Sequence, residues 1–147
     1  MAVRRFKESD FSAVCCVYID AKRDELASEH GDFKIIPLDD DPVIMAAFRE
    51  SDVVVYESEV VVGFAAIFGS QLRALFVHSA ARGKGVGNAL LTAALACAPE
   101  GISLHVAKSN LNAMRFYERN GFSVVGEAIR QYSGIDVVYA KMSYRAC

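Results

Sequence analysis

Apolar residues first recur at helical spacing. Phe11, Val14, Cys15, Tyr18 and Ile19 fall on one stripe behind Ser9 and Asp10, either of which can cap a helix running to about residue 26. Asp41 followed by Pro42 marks a second start, because proline is tolerated in the first turn, where an N–H has no partner; this helix continues over residues 43–49. The period then changes. β-Branched and aromatic residues fill positions 53–56 and 60–68 around Glu57-Ser58-Glu59, which predicts a hairpin, and residues 72–77 give a third strand after Gly69-Ser70. From Val86 the helical period returns, with Val86, Leu90, Ala93, Ala94 and Cys97 on one stripe that Pro99 and Gly101 end. Alternation over residues 102–107 puts Ile102, Leu104 and Val106 on one face and Ser103, His105 and Ala107 on the other, the mark of a half-buried strand. A short helix over 110–120, closed by Gly121, precedes strands near 122–127 and 136–143. With an optional first strand at residues 2–6, the order reads (β)ααβββαβαββ. This predicts an α/β sandwich in which helices flank a mixed, mostly antiparallel sheet.

Composition narrows the function classes. The 147 residues, 53% hydrophobic and 23% charged, suffice for one core, and no repeat, linker or low-complexity segment divides them, so residues 1–147 are read as a single domain. The longest apolar runs, residues 60–68 and 93–98, fall far short of the roughly 18 residues of a membrane helix. Arg4, Arg5, Lys7 and Glu8 break any signal-peptide pattern, so a soluble cytoplasmic protein with no membrane partner is expected. A net charge of -2 gives no broad footprint for nucleic acid. Cys15, Cys16, Cys97 and Cys147 show no metal-ligand spacing and are read as reduced thiols, with Cys97 a small core residue; no metal is expected.

The most informative segment lies between the strand at 72–77 and the helix from Val86: Arg82-Gly83-Lys84-Gly85-Val86-Gly87-Asn88. Its glycines let backbone N–H groups turn inward, the helix start adds partial positive charge, and Arg82 and Lys84 add formal charge, which together make an anion cradle suited to a pyrophosphate. Two familiar phosphate loops are excluded on spacing. Lys84 is followed by Gly85, so no hydroxyl waits for magnesium as in a Walker A loop. A dinucleotide fingerprint starting at Gly83 would end on Asn88, and the strand about 20 residues later carries no acid for a ribose.

The segment from Leu75 to Gly87 resembles the strand, [QR]-x-x-G-x-[GA] loop and helix of the GNAT family of acetyl-CoA-dependent N-acetyltransferases, with Ser79 where the family usually has proline. A second motif, Asn110-x-x-Ala113-x-x-Phe116-Tyr117-Glu118-x-x-Gly121-Phe122, is similar to that family's N-x-x-A-x-x-F-Y-x-x-x-G-F. The resemblance covers residues 53–142. Chain length and the Ala74-Leu75-Phe76 and Cys97-Ala98-Pro99-Glu100 neighbourhoods look nearest to small bacterial YjaB-like members.

The resemblance implies a GNAT fold, acetyl-CoA as co-substrate and a set of site residues. The amides of Arg82, Gly83, Lys84, Gly85, Val86, Gly87 and Asn88 would hold the CoA pyrophosphate, and the backbone of Leu75, Phe76 and Val77 would pair with the pantetheine arm. Asn110 would hydrogen-bond that arm, and Tyr117 would stand at the sulfur and protonate the departing thiolate. Asn110, Ala113 and Tyr117 share one helical face, while Arg115, Glu118 and Arg119 are expected to point elsewhere. His105, on the polar face of its strand, is the leading base for the attacking amine, with Glu57, His30 and His78 as alternates. Val77 N–H is the expected oxyanion donor. The first two helices and their connection, with Asp24, Glu25, Glu29, His30 and Asp39-Asp40-Asp41, would face the acceptor, a small-molecule or peptide amine. The competing reading is a CoA-binding sensor without turnover, and both monomer and homodimer stay open.

Overall fold

In the computed structural model, which describes residues 2–31 and 33–144, the chain opens with the strand expected at its start, β1 (Ala2–Arg5). A short 3-10 turn leads into α1 (Phe11–Glu25), and α2 (Pro42–Glu50) begins where Asp41 and Pro42 announce it. The Asp41 carboxylate accepts from the N–H groups of Val43 and Ile44, both at 3.2 Å. Asp10 precedes α1 but does not cap it. Its carboxylate is buried and takes both Arg4 guanidinium nitrogens at 2.9 Å and Lys7 N–H at 2.8 Å, and the Arg4 bonds hold its pKa at about 2.

β2 (Asp52–Ser58), β3 (Val60–Phe68) and β4 (Gln71–Val77) form the expected meander, followed by α3 (Val86–Cys97), β5 (Ile102–Ala107) and α4 (Leu111–Arg119). β6 (Ser123–Tyr132) runs five residues past the expected end, whereas β7 (Ile135–Tyr144) matches the expected strand to within one residue at each end. Their two-residue turn, Ser133-Gly134, takes the positive φ values of 52° and 77° that match hairpin twist. Ser133 Oγ donates to Lys34 O at 2.7 Å, and Ile36 N–H donates to Tyr132 Oη at 2.9 Å. These bonds pin the far end of the hairpin on the α1–α2 connection and carry the polar residues Arg130 and Gln131 into regular strand.

The seven strands lie in the order β1-β2-β3-β4-β5-β7-β6, antiparallel throughout except between β4 and β5. That one parallel pairing is brief, joining Gln71 to Ser103 and Leu72 to Leu104, after which the strands separate. Alternation sends Ala65, Leu75 and Val77 to a core shared with α3 and α4, around Leu90, Leu91, Leu104 and Met142. Phe64, Ala74 and Phe76 face the other way, onto Val14, Val17, Tyr18 and Phe48 of α1 and α2. A smaller cluster of Leu26, Ala107, Tyr132 and Val137 lies under the β6–β7 hairpin.

The expected stripe of α3 needs one correction. Val86, Leu90, Leu91 and Ala94 are buried, but Cys97 is exposed: it lies on the same stripe, between Val86 and Leu90 in projection, but as the helix's last residue. Cys15 is half-buried and Cys16 exposed, both as free thiols, while Cys147 lies outside the described residues.

Candidate functional site

Where β4 and β5 part, a cleft of about 740 Å³ opens between them, bordered by the α3 loop, α4 and the C-terminal end of α1. Strand geometry makes its wall polar. His78 N–H donates to Val62 O at 2.8 Å, so alternation turns the N–H and C=O of Val77 and Leu75 away from β3, towards the gap that β5 has vacated. An extended ligand arm bearing amides finds a strand edge there.

The loop at the mouth of the cleft follows from its glycines. Gly83 and Gly85 have φ of 75° and 81°, left-handed values that side chains disfavour, and a Cβ at either would project into open space. Gly85 caps α3 without a side chain, and among the described residues the N–H groups of Val86, Gly87 and Asn88 meet no protein acceptor. Unpaired amides at a helix start, with nothing in front of them, fit a pyrophosphate.

The two cations of this loop differ from expectation. Lys84 is exposed and does not border the cleft, since the chain turns through left-handed glycines on both sides of it. Arg82 borders the cleft but is turned towards α1, pairing with Asp24, lying 3.8 Å from Asp20 and donating to Val77 O at 3.2 Å. Ser79 shows what its replacement of a proline permits: its N–H and Oγ donate to the two Asp20 oxygens at 2.7 and 2.8 Å, and a proline has no N–H to give. Burial opposes the charge on Asp20, but these bonds, with His78 and Arg82 nearby, outweigh it and hold the carboxyl below its usual range.

α4 presents the second motif to the same cleft. Asn110 caps the helix by accepting from Ala113 N–H at 3.4 Å, and Ala113 and Tyr117 follow on the cleft side. Tyr117 is wedged between Phe116 and Phe122, with ring centroids at 5.2 and 5.4 Å. Burial, reinforced by the negative charge of Glu25, pushes its hydroxyl well above the ordinary tyrosine pKa, so it keeps its proton. Arg115 and Arg119 also border the cleft, contrary to the expected division of this helix, because the cleft wraps past one face of so short an element.

His105 stands on the opposite face of the sheet from Tyr117 and borders both this cleft and a second cavity of about 400 Å³ under α1 and α2. Its burial, together with Arg130 and Lys141, lowers its pKa below the ordinary histidine value, leaving it neutral and able to accept a proton. None of the alternates borders the cleft: Glu57, on β2, accepts from Arg4 at 2.9 Å, His78 Nδ1 accepts from Ala80 N–H at 3.1 Å, and His30 is exposed.

The acidic residues of the first two helices do not gather in one place. Asp24 pairs with Arg82, Glu29 accepts from Ser109 Oγ, and Asp41 caps α2. Glu25 alone of them borders the second cavity, alongside Tyr18, Lys22, Arg130, Tyr132 and Tyr139. Sequence reading missed these partners, although Tyr18, Lys22 and Glu25, at i, i+4 and i+7, already mark one polar face of α1. Among the described residues no cluster of three or more His, Cys, Asp or Glu could hold a metal, and no helix is long and apolar enough to cross a membrane.

Comparison with known proteins gives this geometry its class. The family model for the acetyltransferase (GNAT) domain matches residues 49–124. The peptidyl-lysine N-acetyltransferase YjaB of Escherichia coli (strain K12) is 32% identical over 133 residues, spanning 87% of this chain and 86% of that protein. A GCN5-related N-acetyltransferase structure from Rhodopseudomonas palustris superimposes with a TM-score of 0.84 at 18% identity, covering 99% of this chain and 95% of its own. Salmonella typhimurium yncA, solved with its cofactor acetyl-CoA, gives 0.72 at 20% identity, covering 99% and 93%. The chain belongs to the GNAT family of N-acetyltransferases. Acetyl-CoA is the co-substrate of that family, and the acceptor is a molecule bearing an amine.

Proposed function

We propose that this chain is a single cytoplasmic catalytic domain that moves the acetyl group of acetyl-CoA to the ε-amine of a lysine, in a peptide or as a free side chain, by direct attack. One observation carries the reading: the parting of β4 and β5 opens a cleft that Tyr117 borders from one face of the sheet and His105 from the other. An amine entering between them meets a thioester with an acid on the sulfur side and a base on its own side. The name of the E. coli relative supports lysine as the acceptor.

Bound acetyl-CoA supplies an activated acyl group on a thiolate leaving group. The free amides of Val86, Gly87 and Asn88 take the pyrophosphate, with Gly83 and Gly85 leaving room for its approach. The open edge at Leu75 fixes the pantetheine arm, Val77 N–H being kept for the oxyanion, and Asn110 contributes its amide at the start of α4. His105 takes the proton of the attacking nitrogen as the C–N bond forms, Val77 N–H stabilises the carbonyl oxygen as it becomes negative, and Tyr117 gives its proton to the sulfur as the C–S bond breaks. A raised tyrosine pKa and a lowered histidine pKa set both groups in the protonation states these roles need near neutral pH.

The test is acetyl-CoA-dependent thiol release, screened over lysine-containing peptides, N-terminal peptides, free amino acids, polyamines and aminoglycosides. Release above the hydrolysis background with lysine peptides is the expected result. Tight acetyl-CoA binding without release on any amine would replace this reading with the non-catalytic sensor.

A further inference from the structure

The second cavity holds an ammonium of the protein's own. Lys22 Nζ lies 2.7 Å from Glu25 Oε2 and 4.7 Å from the centroid of the Tyr132 ring, and the Lys22 and Glu25 side chains are each 12% exposed. Tyr132 is fixed in place by Ile36 N–H on its hydroxyl. A carboxylate and an aromatic face at these distances are what a desolvated alkylammonium requires.

Glu25 Oε2 is buried and meets Lys22 Nζ at 2.7 Å across one turn of their helix, with no other partner among the described residues. The oxygen therefore keeps lone pairs for a donor arriving from the cavity. Lys22 is no substrate itself: burial alone would lower its pKa, but Glu25, Tyr139 and Tyr18 outweigh burial and hold the amine protonated, which denies it a nucleophilic lone pair. Glu25 and His105 border both the acetyl-CoA cleft and this cavity, so the carboxylate stands where the two spaces meet. Leu38, Phe48, Phe64 and Phe76 line the cavity with apolar surface suited to an aliphatic stem.

Resting on the acetyltransferase reading, we propose that Glu25 and Tyr132 form the ammonium-binding site for the acceptor, a primary alkylammonium on an apolar stem, and that Lys22 is its resident placeholder. Lys22 neutralises Glu25 in the free enzyme and is displaced when the acceptor's ammonium brings the same charge on an untethered stem. The exchange conserves charge within the cavity. The bound ammonium gives its first proton to water in the open cleft, and His105, at the junction, takes the second as the C–N bond forms.

The experiment measures KM for Nα-acetyl-lysine methylamide, with acetyl-CoA affinity and Tm followed in parallel. Glu25→Gln should raise KM roughly tenfold or more, the scale of a lost charge-assisted hydrogen bond, with acetyl-CoA affinity unchanged. Lys22→Met should lower KM by about threefold or more, since the acceptor no longer competes with a tethered ammonium; Lys22→Gln serves if the methionine variant does not fold. A merely structural ion pair would lower Tm in both variants and leave KM unchanged or raised in the Lys22 variant, and that result overturns the proposal. Titration of n-pentylammonium into the CoA complex, followed by NMR, separates the two readings. Binding that Glu25→Gln abolishes, without turnover on any amine, would refute acetyl transfer and uphold the cage; turnover with KM indifferent to both substitutions would do the reverse.

Discussion

The loop end of the cleft and the second cavity, the proposed acceptor end, are built from different parts of the chain. At the loop end the working groups are main-chain amides: the N–H groups opening α3 and the free edge of β4, contributed by residues within one continuous stretch and admitted by glycines at φ of 75° and 81°. At the acceptor end they are side chains from α1, β5, β6 and β7, brought together only when the hairpin folds back onto the α1–α2 connection. Backbone chemistry of the first kind suits a ligand that never changes, because amides have no alternative side chain to vary. Side-chain chemistry of the second kind suits a ligand that differs among relatives, since each wall can be altered without moving the other.

The largest effect should come from filling the loop end. Gly85→Glu places a side chain in the open space before α3, at a φ that L-residues disfavour, and sets negative charge against the pyrophosphate. Calorimetry should find no acetyl-CoA binding in a variant whose circular dichroism matches wild type. Unchanged affinity in that folded variant would place the pyrophosphate elsewhere and dissolve the contrast between the two ends.

Chemistry at the junction comes next. Tyr117→Phe should lower kcat by roughly 10- to 10⁴-fold, the range of a lost general acid, with acetyl-CoA affinity near wild type. Turnover at the wild-type rate would reduce Tyr117 to packing between Phe116 and Phe122. His105→Ala should lower kcat/KM by about 100-fold and erase the acid limb of its pH profile. Retention of both the rate and the limb would move the base off β5.

These two ends were unequally legible in the sequence, for physical reasons. The spacing of Arg82, Gly85 and Gly87 and the helix-face spacing of Asn110, Ala113 and Tyr117 are local patterns; that both belong to one cleft was implied by the family resemblance, and both segments border it. Even there, formal charge was less readable than backbone: Arg82 is drawn to Asp24 and Lys84 is turned outward, since a side chain follows its nearest partner whereas an amide follows φ and ψ. The order of elements was legible too, including the strand at the start. The reach of β6 was not, because Ile129, Arg130 and Gln131 are all exposed, and what holds that end of the hairpin is Ser133 and Tyr132 bonding to residues about a hundred positions earlier. The Lys22, Glu25 and Tyr132 cluster depends on that same long-range closure. The acidic residues that sequence proximity grouped together are dispersed onto Arg82, Ser109 and the start of α2.

The smallest effect tests the acceptor end through charge alone. Arg130 and Lys141 approach His105 from β6 and β7, and Lys141 is its direct partner across the β5–β7 ladder. Burial is the largest cause of the lowered His105 pKa, and the two cations add to it by disfavouring a further positive charge. Arg130→Ala removes one of them without uncovering the ring's apolar surroundings, so the pKa should rise part of the way towards the ordinary histidine value. A base must be deprotonated to act, and a higher pKa means that more acid-side activity is lost: the acid limb of kcat/KM should move to higher pH while the plateau rate holds. Arg130→Lys keeps the charge and should leave the limb in place. If Arg130→Ala lowers the plateau and leaves the limb where it was, the guanidinium acts on the acceptor rather than on His105, and the acceptor end reads a second charge beyond the amine.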